Sequence, residues 1–370
     1  MRKIRVSGSN GKIYDNERIF CEENNIPRST FRRTVKLKGS YIKDNITFVL
    51  SPEDVENKKR DKTKDYEKEK EYQEYQKFKE VTKKDFTYYK FEDKFLKTKD
   101  KYAVALFSDA HIEETVKKES VLGLNEYNLD IAKHRIERYF VGLSRCLLKD
   151  GVKQLFFASL GDTISGFIHE SLEQENGLTP PQAIVVARSL IISGMKYLKT
   201  HNKGISITFI GMCGNHSRIT KRIQYDNGFK LSYEYIMYKD IEDICGMIGL
   251  NIKFIIPESD IFLLEMPDNR RFIFIHGYQV KSSGTGTVCG IYPALQRLAM
   301  KWDRTFHQDK IFLGHYHSCI SIPSATVNGS IIGFNSFAMS NGFSFEEPAQ
   351  MYELYDKNIG CILTRKIYCK

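Results

Sequence analysis

Oxygen and imidazole ligands follow five short apolar runs of this sequence, each at the point where the run ends. The runs AVALF, QLFFASL, ISITFIGM, RFIFI and KIFL lead into DAH (109–111), GD (161–162), GNH (214–216), HG (276–277) and GHYH (314–317). Aspartate, asparagine and histidine together form a hard oxygen and nitrogen donor set that suits divalent metal ions. The pattern therefore predicts a metal site.

The GHYH segment is the most informative of the five. With 25 Gly and 9 His in 370 residues, about 0.015 Gly-His-x-His segments are expected by chance. Asp-x-His alone is a weak signal, and Gly-Asp is common in turns. Of the four histidines outside these segments, His134, His201 and His307 are predicted to lie at the surface. His169 is predicted to line a substrate cleft, with the exposed face of a helix as the alternative.

The elements that must position these ligands form an alternating series of strands and helices from Tyr102 onward. The apolar runs have the length and composition of buried strands. Between them, apolar residues from Leu129 to Leu147 share one face of a helix. A second helix is expected after Thr179 as N-cap, with Pro180–Pro181 in its first turn. This alternation predicts a layered α/β domain, in which sites gather at the carboxyl ends of the strands.

The order D-x-H, G-D, G-N-H, H-G and G-H-x-H resembles that of the calcineurin-like metallophosphoesterase superfamily, over roughly residues 101–365. The stretches GDTISGFIHESLEQEN, GNHSRITKR and VNGSIIGFNSFA…EEPAQ are similar to a phage- or prophage-encoded branch. Two departures argue against protein phosphatase activity. Thr-Ile-Ser-Gly follows Asp162 where the family's protein phosphatases carry Asp-Arg-Gly, and Ser217 stands where they carry Glu.

The resemblance implies a layered αββα sandwich that holds two divalent metal ions. One ion would be bound by Asp109, His111 and His317, the other by Asn215, His276 and His315, with Asp162 bridging both. Two cations about 3.5–4 Å apart activate water and stabilise both oxygens of an in-line displacement at phosphorus. Manganese is favoured, with Fe, Mg or Zn as alternatives for the same donor set. His216 would act as general acid or stabilise the phosphoryl charge.

Two further features of the catalytic region have weaker signals. Arg218 could clamp a phosphate, because a planar guanidinium matches its oxygens; the alternative is a solvated loop arginine. The glycine-rich loop SSGTGTVCG (282–290) could be a phosphate cradle or a lid, although such loops are usually only flexible.

The N-terminus carries most of the excess positive charge. Residues 1–50 contain 11 Lys and Arg against 5 Asp and Glu, a net charge of +6 out of +10 for the chain. Such an asymmetry indicates a polyanionic partner, nucleic acid being the usual one. A solubilising basic segment is the alternative.

Within this region, ERIFCEENNIPRSTFRRTVK (17–36) resembles helix-turn-helix segments of phage and bacterial proteins. A helix over about 16–24, a turn at 25–27 and a second helix from Arg28 are expected, with Asn25 in a left-handed conformation. Phe20, Ile26, Phe31 and Val35 would form the core, and Arg28, Arg32, Arg33 and Lys36 would face DNA. A helical hairpin that docks on a protein or on the catalytic domain is the alternative. The run ITFVL (46–50) could form a wing or pack on the following connector.

Composition sets the remaining expectations. The sequence predicts a small basic helical module at 1–50, a charged connector at 51–100 that is helical or partly disordered, and a catalytic domain at 101–370. The longest apolar stretch, from Ala183 to Gly194, is interrupted by Arg188 and too short for a bilayer. The eight scattered cysteines and the missing apolar segment after the basic start predict a reduced, cytoplasmic protein without a secretory signal.

These features together predict a metal-dependent phosphoesterase that hydrolyses phosphodiester bonds in DNA, in phage or host DNA processing. The basic module supplies the link to nucleic acid, since the catalytic motifs do not specify it. A phosphatase or phosphodiesterase acting on a small nucleotide or a phosphoprotein remains an alternative. So does a DNA-binding regulator with a vestigial metal domain, although the full ligand set argues against it. The sequence does not indicate an oligomeric state.

Overall fold

A computed structural model describes most of the chain and divides it into two compact units, Met1–Asp93 and Lys94–Lys370. The described residues are 6–8, 13–14, 17–38, 40–43, 46–50, 66–80, 100–168, 172, 176–224, 227–280 and 290–370.

The N-terminal unit combines a small antiparallel sheet with two helices. In chain order the elements are β1 Val6–Gly8, β2 Ile13–Tyr14, α1 Glu17–Glu23, α2 Arg28–Lys38, β3 Tyr41–Lys43 and β4 Ile46–Leu50. The strand order is β2-β1-β4-β3. A further helix, α3, covers residues 66–80, and nearly all of its side chains are exposed.

The two helices begin and end close to the positions expected from sequence. Asn25 joins them with a φ of 52°, in the left-handed region that asparagine tolerates better than most residues. The four predicted core residues are buried together with four others. Three of those four, Val6, Tyr14 and Phe48, lie on strands. The small helical module therefore also contains strands, and ITFVL (46–50), expected to form a wing or pack on the connector, is β4. The other strands were not predicted, because two or three residues are too few to show a clear alternating pattern.

The C-terminal unit contains two sheets. Its strands are β5 Lys101–Phe107, β6 Gln154–Ser159, β7 Ser206–Gly211, β8 Lys253–Ile255, β9 Ile261–Glu265, β10 Arg271–Ile275, β11 Lys310–Leu313, β12 Ile320–Ile322, β13 Ala325–Val327, β14 Ala349–Asp356 and β15 Gly360–Tyr368. The six-stranded sheet has the order β15-β14-β5-β6-β7-β8, and the five-stranded sheet has the order β12-β13-β11-β10-β9. Neighbours are parallel from β5 through β8 and from β10 through β11 to β13.

Three hydrophobic clusters separate four layers of this unit. Its helices are α4 Leu129–Asp150, α5 Pro180–His201, α6 Tyr233–Met247, α7 Tyr292–Asp303 and α8 Ser336–Ser340. Ala105 and Phe107 of β5 belong to the cluster that contains residues of α4, α5 and α6. The alternate residues Val104 and Leu106 pack with Phe274 of the other sheet, and the outer face of that sheet packs on α7. The fold is a layered αββα sandwich, as expected.

Local signals explain where the two long helices begin. The side chain of Asn128 accepts a hydrogen bond from the Ile131 amide at the start of α4. Thr179 caps α5 in a capping box with Gln182, and a proline stands at the first helical position. Both predicted helices and all five predicted strands are confirmed. Among the described residues, no helix is both long and apolar enough to span a membrane.

Candidate dinuclear metal centre

The backbone turns sharply where the central strands end. Asp109, His111, Asp162, His315 and His317 have φ values of 53°, 45°, 51°, 71° and 53°, and they are five of the eight non-glycine residues with positive φ in the described part of the chain. Each such conformation costs on the order of 1–3 kcal/mol and persists only where the surroundings enforce it. Strain concentrated at these residues marks the strand ends as a functional site.

The first candidate ligand group comprises Asp109, His111 and His317. One potential ligand atom from each lies within 4.8 Å of the others, and His317 Nε2 is 3.4 Å from Asp109 Oδ1. His111 Nδ1 is 3.0 Å from the Ser165 hydroxyl. Its Nε2 is buried and has no hydrogen-bond partner among the described residues. A ring held through Nδ1, with Nε2 unsatisfied, fits a metal ligand.

The second group comprises Asp162, His276 and His315, whose potential ligand atoms also lie within 4.8 Å of one another. His276 Nε2 is 2.9 Å from Asp162 Oδ2, and its Nδ1 is 2.6 Å from the Leu160 carbonyl oxygen. Burial would lower the pKa of His276, but the Asp162 carboxylate outweighs burial and raises that pKa to about 9. Burial and the neighbouring His276 lower the pKa of His315 to about 4. A cation at this position would compete with the proton on His276.

The two groups adjoin each other. The His315 amide donates to both carboxylate oxygens of Asp109 at 3.0 Å, which links the second group to the first. Burial would raise the pKa values of Asp109 and Asp162. At Asp109 the hydrogen bond and charge of His317 outweigh the effect of burial, so the pKa of this carboxyl is lowered. At Asp162 the charge and hydrogen bond of His276 outweigh the effect of burial, so this pKa is lowered as well. His111 of the first group also lowers the pKa of Asp162, which places this carboxylate beside both groups.

Asn215 lies beside Asp162. The amide of the next residue, His216, donates to Asp162 Oδ1 at 2.8 Å, and a Cβ added to the preceding Gly214 would come within 2.1 Å of the same oxygen. Asn215 Oδ1 is buried without a hydrogen-bond partner in the described part of the structure. All seven predicted ligands therefore lie at one place, and their oxygen and nitrogen donors fit two divalent cations.

His216 and Arg218 lie at the edge of this cluster. The His216 ring is 4.8 Å from the His111 ring, centroid to centroid, and its Nδ1 is 3.0 Å from the Ser165 carbonyl oxygen. Arg218 is half-buried and donates from Nη1 to the Asn215 carbonyl. Arg218 therefore contacts the loop that carries Asn215. It is not the fully solvated arginine that was the alternative to a phosphate contact.

Sequence reasoning missed Glu234, which joins two of the ligand-bearing loops. It stands in the first turn of α6 and is fully buried. Its Oε1 accepts from the Thr163 amide at 2.7 Å, and its Oε2 accepts from the Gly214 amide at 2.7 Å and from the Ser217 hydroxyl at 2.8 Å. The carboxylate thus contacts Ser217 and joins the loop that carries Asp162 to the loop that carries Asn215. No local motif indicates this contact, because Glu234 lies 17 residues away from Ser217 in the sequence.

Replacing Glu234 by Gln is expected to weaken metal binding about 10- to 100-fold, the usual effect of disturbing groups that orient ligands. A carboxylate accepts from both loop amides, whereas a carboxamide must turn an NH₂ group toward one of them. Metal titration of the purified protein measures the effect. Glu242→Gln is the matched control, because Glu242 is a half-buried glutamate on the same helix that pairs with Lys239 and lies outside the candidate centre. Unchanged affinity in Glu234→Gln would contradict the positioning role.

The remaining predicted residues have different outcomes. His134, His201 and His307 are exposed, as expected. His169 lies outside the described residues, as does most of the loop at 282–290.

In the N-terminal unit, Arg28 and Arg32 both contact Glu17, which is buried. Arg28 donates to Glu17 Oε1 from Nε at 2.8 Å and from Nη2 at 2.6 Å, and Arg32 donates from Nε at 2.8 Å. Burial would raise the pKa of Glu17, but the hydrogen bonds from Arg32 and Arg28 outweigh burial and lower it. These two arginines therefore stabilise the unit internally. Arg33 is exposed, and the Lys36 side chain lies outside the described part of the structure.

Comparisons with solved structures find similar chains, and the three described here are distant from this one. No protein-family model matches the sequence, and no curated protein matches it significantly. A putative 5'-nucleotidase from Staphylococcus aureus is 10% identical at a TM-score of 0.29, over 72% of this chain and 53% of its own. A 5'-nucleotidase from Candida albicans is 12% identical at 0.30, over 68% and 47%. A phosphopantetheinyl hydrolase from Mycobacterium tuberculosis is 8% identical at 0.24, over 62% and 89%.

The chain spans about half the length of the two nucleotidases. At these TM-scores the functional conclusion rests on the geometry of the site.

Proposed function

We propose that this chain is a dinuclear metal-dependent phosphoesterase. The observation that carries the proposal is the convergence, from five strand ends, of six buried or half-buried donors in two adjoining groups, with Asn215 beside them. Two divalent ions bound there would supply Lewis-acid activation of water and neutralise charge on a phosphoryl group. The orphaned nitrogen of His111 and the orphaned oxygen of Asn215 support cation binding, because buried polar atoms without partners are rare and costly.

His216 and Arg218 are the residues we assign to the substrate. With its Nδ1–H donated to the Ser165 carbonyl, a protonated His216 can donate Nε2–H to the leaving oxygen. Arg218, held by the Asn215 carbonyl, brings a positive charge close to the same place. Its partly buried guanidinium can hold a phosphate oxygen in position.

We further propose that the substrate is a phosphodiester in DNA. The basic N-terminal unit and the net charge of +10 favour a polyanion. The same proposal places the activity in phage or host DNA processing in the cytoplasm, following the resemblance of GDTISGF and GNHSRITKR to phage-type sequences. Mn²⁺ is the ion we expect to support the reaction, ahead of Fe, Mg²⁺ or Zn²⁺.

A cleavage assay on defined single- and double-stranded oligonucleotides, across these four metals, tests the proposal. We expect metal-dependent cleavage of DNA that EDTA abolishes. Hydrolysis of nitrophenyl phosphate or cyclic nucleotides, with every form of DNA left intact, would instead support a small-molecule phosphoesterase. Absence of any hydrolysis, together with DNA binding, would support the regulator with a vestigial metal domain.

Arg33→Ala is expected to remove about one phosphate contact with DNA. The plot of log binding constant against log salt concentration should then become shallower by about 0.9. Arg33 is exposed on α2, whereas Arg28 and Arg32 are held by Glu17. Fluorescence anisotropy of the full chain with labelled DNA, at several salt concentrations, measures the slope. Arg145→Ala, an exposed arginine of the other unit, is the control. An unchanged slope for Arg33→Ala would contradict a DNA contact by this residue.

A further inference from the structure

Phe167, Phe337 and Phe343 are three of the exposed phenylalanine side chains on two segments that lead away from the candidate metal centre; Phe345, the fourth, packs on Phe334. Phe167 is 43% exposed, Phe337 65% and Phe343 44%. Exposed phenylalanine rings beside a cluster of charged groups indicate a binding surface. An apolar ring in water is stabilised when it packs on another flat group that covers its face.

One buried carboxylate fixes the position of two of these segments. Glu114 accepts from the Ser165 hydroxyl at 3.1 Å and from the Asn335 side chain at 3.0 Å. Phe167 follows two residues after Ser165, and Phe337 two residues after Asn335. The Ser165 hydroxyl is also 3.0 Å from Nδ1 of the candidate ligand His111. Both phenylalanines therefore belong to segments held against the centre.

The third ring is held next to the second. Asn335 caps the short helix α8, and its side chain accepts from the Ala338 amide. The chain then turns back at Gly342, which has a φ of 67°, and the Phe343 amide donates to the Ala338 carbonyl at 2.9 Å. As a result the rings of Phe337 and Phe343 meet edge to face at a centroid distance of 5.9 Å.

We propose that Phe167, Phe337 and Phe343 stack the bases next to the phosphate that is cleaved, so that the substrate is a nucleic acid with unpaired bases. This inference rests on the proposed function. The face of a base can reach a protein ring only where the base is unpaired and unstacked from its neighbours, as in single strands. The segment of Phe167 packs on the loop that carries Arg218, since a Cβ added to Gly166 would lie 2.4 Å from the His216 carbonyl oxygen. Lys221 and Arg222 are exposed three and four residues after Arg218, and their positive charge complements the strand's backbone.

The experiment compares two single strands of equal length and charge. One is oligothymidylate, and the other carries an abasic site at every position. We expect the wild-type protein to cleave the base-bearing strand more efficiently, with a ratio of kcat/KM values on the order of 100 or more. Phe337→Ala should move this ratio toward one, as should Phe167→Ala and Phe343→Ala, each by about 5- to 10-fold. Phe337→Trp should preserve it. A merely structural defect would lower both rates and leave the ratio unchanged.

Met247→Ala is the control. Met247 is 83% exposed and is the last residue of α6, whereas Glu234, which contacts the centre, lies in the first turn. Its ratio should equal that of the wild type. Equal cleavage of both strands by the wild type, or a ratio that no phenylalanine variant changes, would overturn the stacking inference. The proposed phosphoesterase activity would still stand, and a protein would be the more suitable partner for the exposed rings. Cleavage of duplex DNA with neither single strand cleaved would overturn the stacking inference alone. Failure of the wild type to cleave any form of DNA with any metal would refute the proposed nuclease function, and the stacking inference with it.

Discussion

Asp162→Asn is expected to lower kcat/KM for phosphodiester hydrolysis by roughly 10³-fold or more, together with loss of bound metal. Asp162 is buried, and its two oxygens have different contacts: Oδ1 accepts from the His216 amide, and Oδ2 is 2.9 Å from His276 Nε2. Asparagine keeps the shape and the first contact but removes the negative charge. A neutral amide binds a divalent cation much more weakly than a carboxylate does. Steady-state kinetics and metal analysis of the purified variant measure both effects.

A matched control exists at the surface of the same unit. Asp303 is paired with His307 at 2.9 Å, the same kind of pair at the same distance, but half of its side chain is exposed. Asp303→Asn should leave metal content and kinetics unchanged, because an exposed pair of this kind contributes little. If Asp162→Asn retained both its metal and its activity, the carboxylate would not be a ligand, and the assignment of the second group would be wrong.

The turn at Asp109 is held by backbone groups of the stretch VNGSIIGFNSFA, whose sequence does not indicate that it packs against the centre. The amides of Ile331 and Ile332 donate to the Asp109 carbonyl at 3.1 and 3.4 Å. Their own carbonyls accept from Arg135 Nη1 at 2.9 and 2.7 Å. Arg135 lies on α4 and is buried, and its Nη2 donates to the Asn125 side chain at 2.7 Å. This network helps to explain how Asp109 keeps a φ of 53°, since fully satisfied buried networks are rigid.

Sequence reasoning could predict the ligands because each is adjacent to its strand. A run such as KIFL identifies both a buried strand and the position of the GHYH turn that follows it, so His315 and His317 are found together. The same logic located α5 through Thr179 and Pro180, and the turn at Asn25. These are local signals, in which the residue type and the backbone geometry are linked within a few positions.

The supporting residues could not be found in this way because their contacts are long-range. Glu234 contacts a residue 71 positions away at Thr163, and Arg135 contacts one 197 positions away at Ile332. In the sequence each looks like an ordinary charge on an amphipathic helix. Edge strands such as β12 were also missed, because three half-exposed residues show no distinctive period. The sequence therefore predicts which side chains meet at the candidate centre better than it predicts what holds them in place.

His216→Ala is expected to lower kcat on DNA by roughly 10²- to 10³-fold while metal affinity stays near that of the wild type. His216 is outside both ligand groups, and its Nδ1 contacts a backbone carbonyl instead of a candidate ligand. Its loss should therefore affect the reacting phosphate and not the cations. His134→Ala, an exposed histidine on α4, is the control. Metal titration and single-turnover kinetics measure the two quantities independently.

The leaving group distinguishes the two roles that His216 could have. A general acid matters most when the leaving oxygen is strongly basic, as the sugar oxygen of DNA is, and little when nitrophenolate departs. If His216 is the acid, His216→Ala should lose far less activity on bis(nitrophenyl) phosphate than on DNA. If it stabilises phosphoryl charge, both substrates should lose activity equally, because the charge on phosphorus develops in either case. Loss of metal from His216→Ala would contradict a role confined to the substrate and would show that His216 contributes to metal binding, as a ligand or by orienting one.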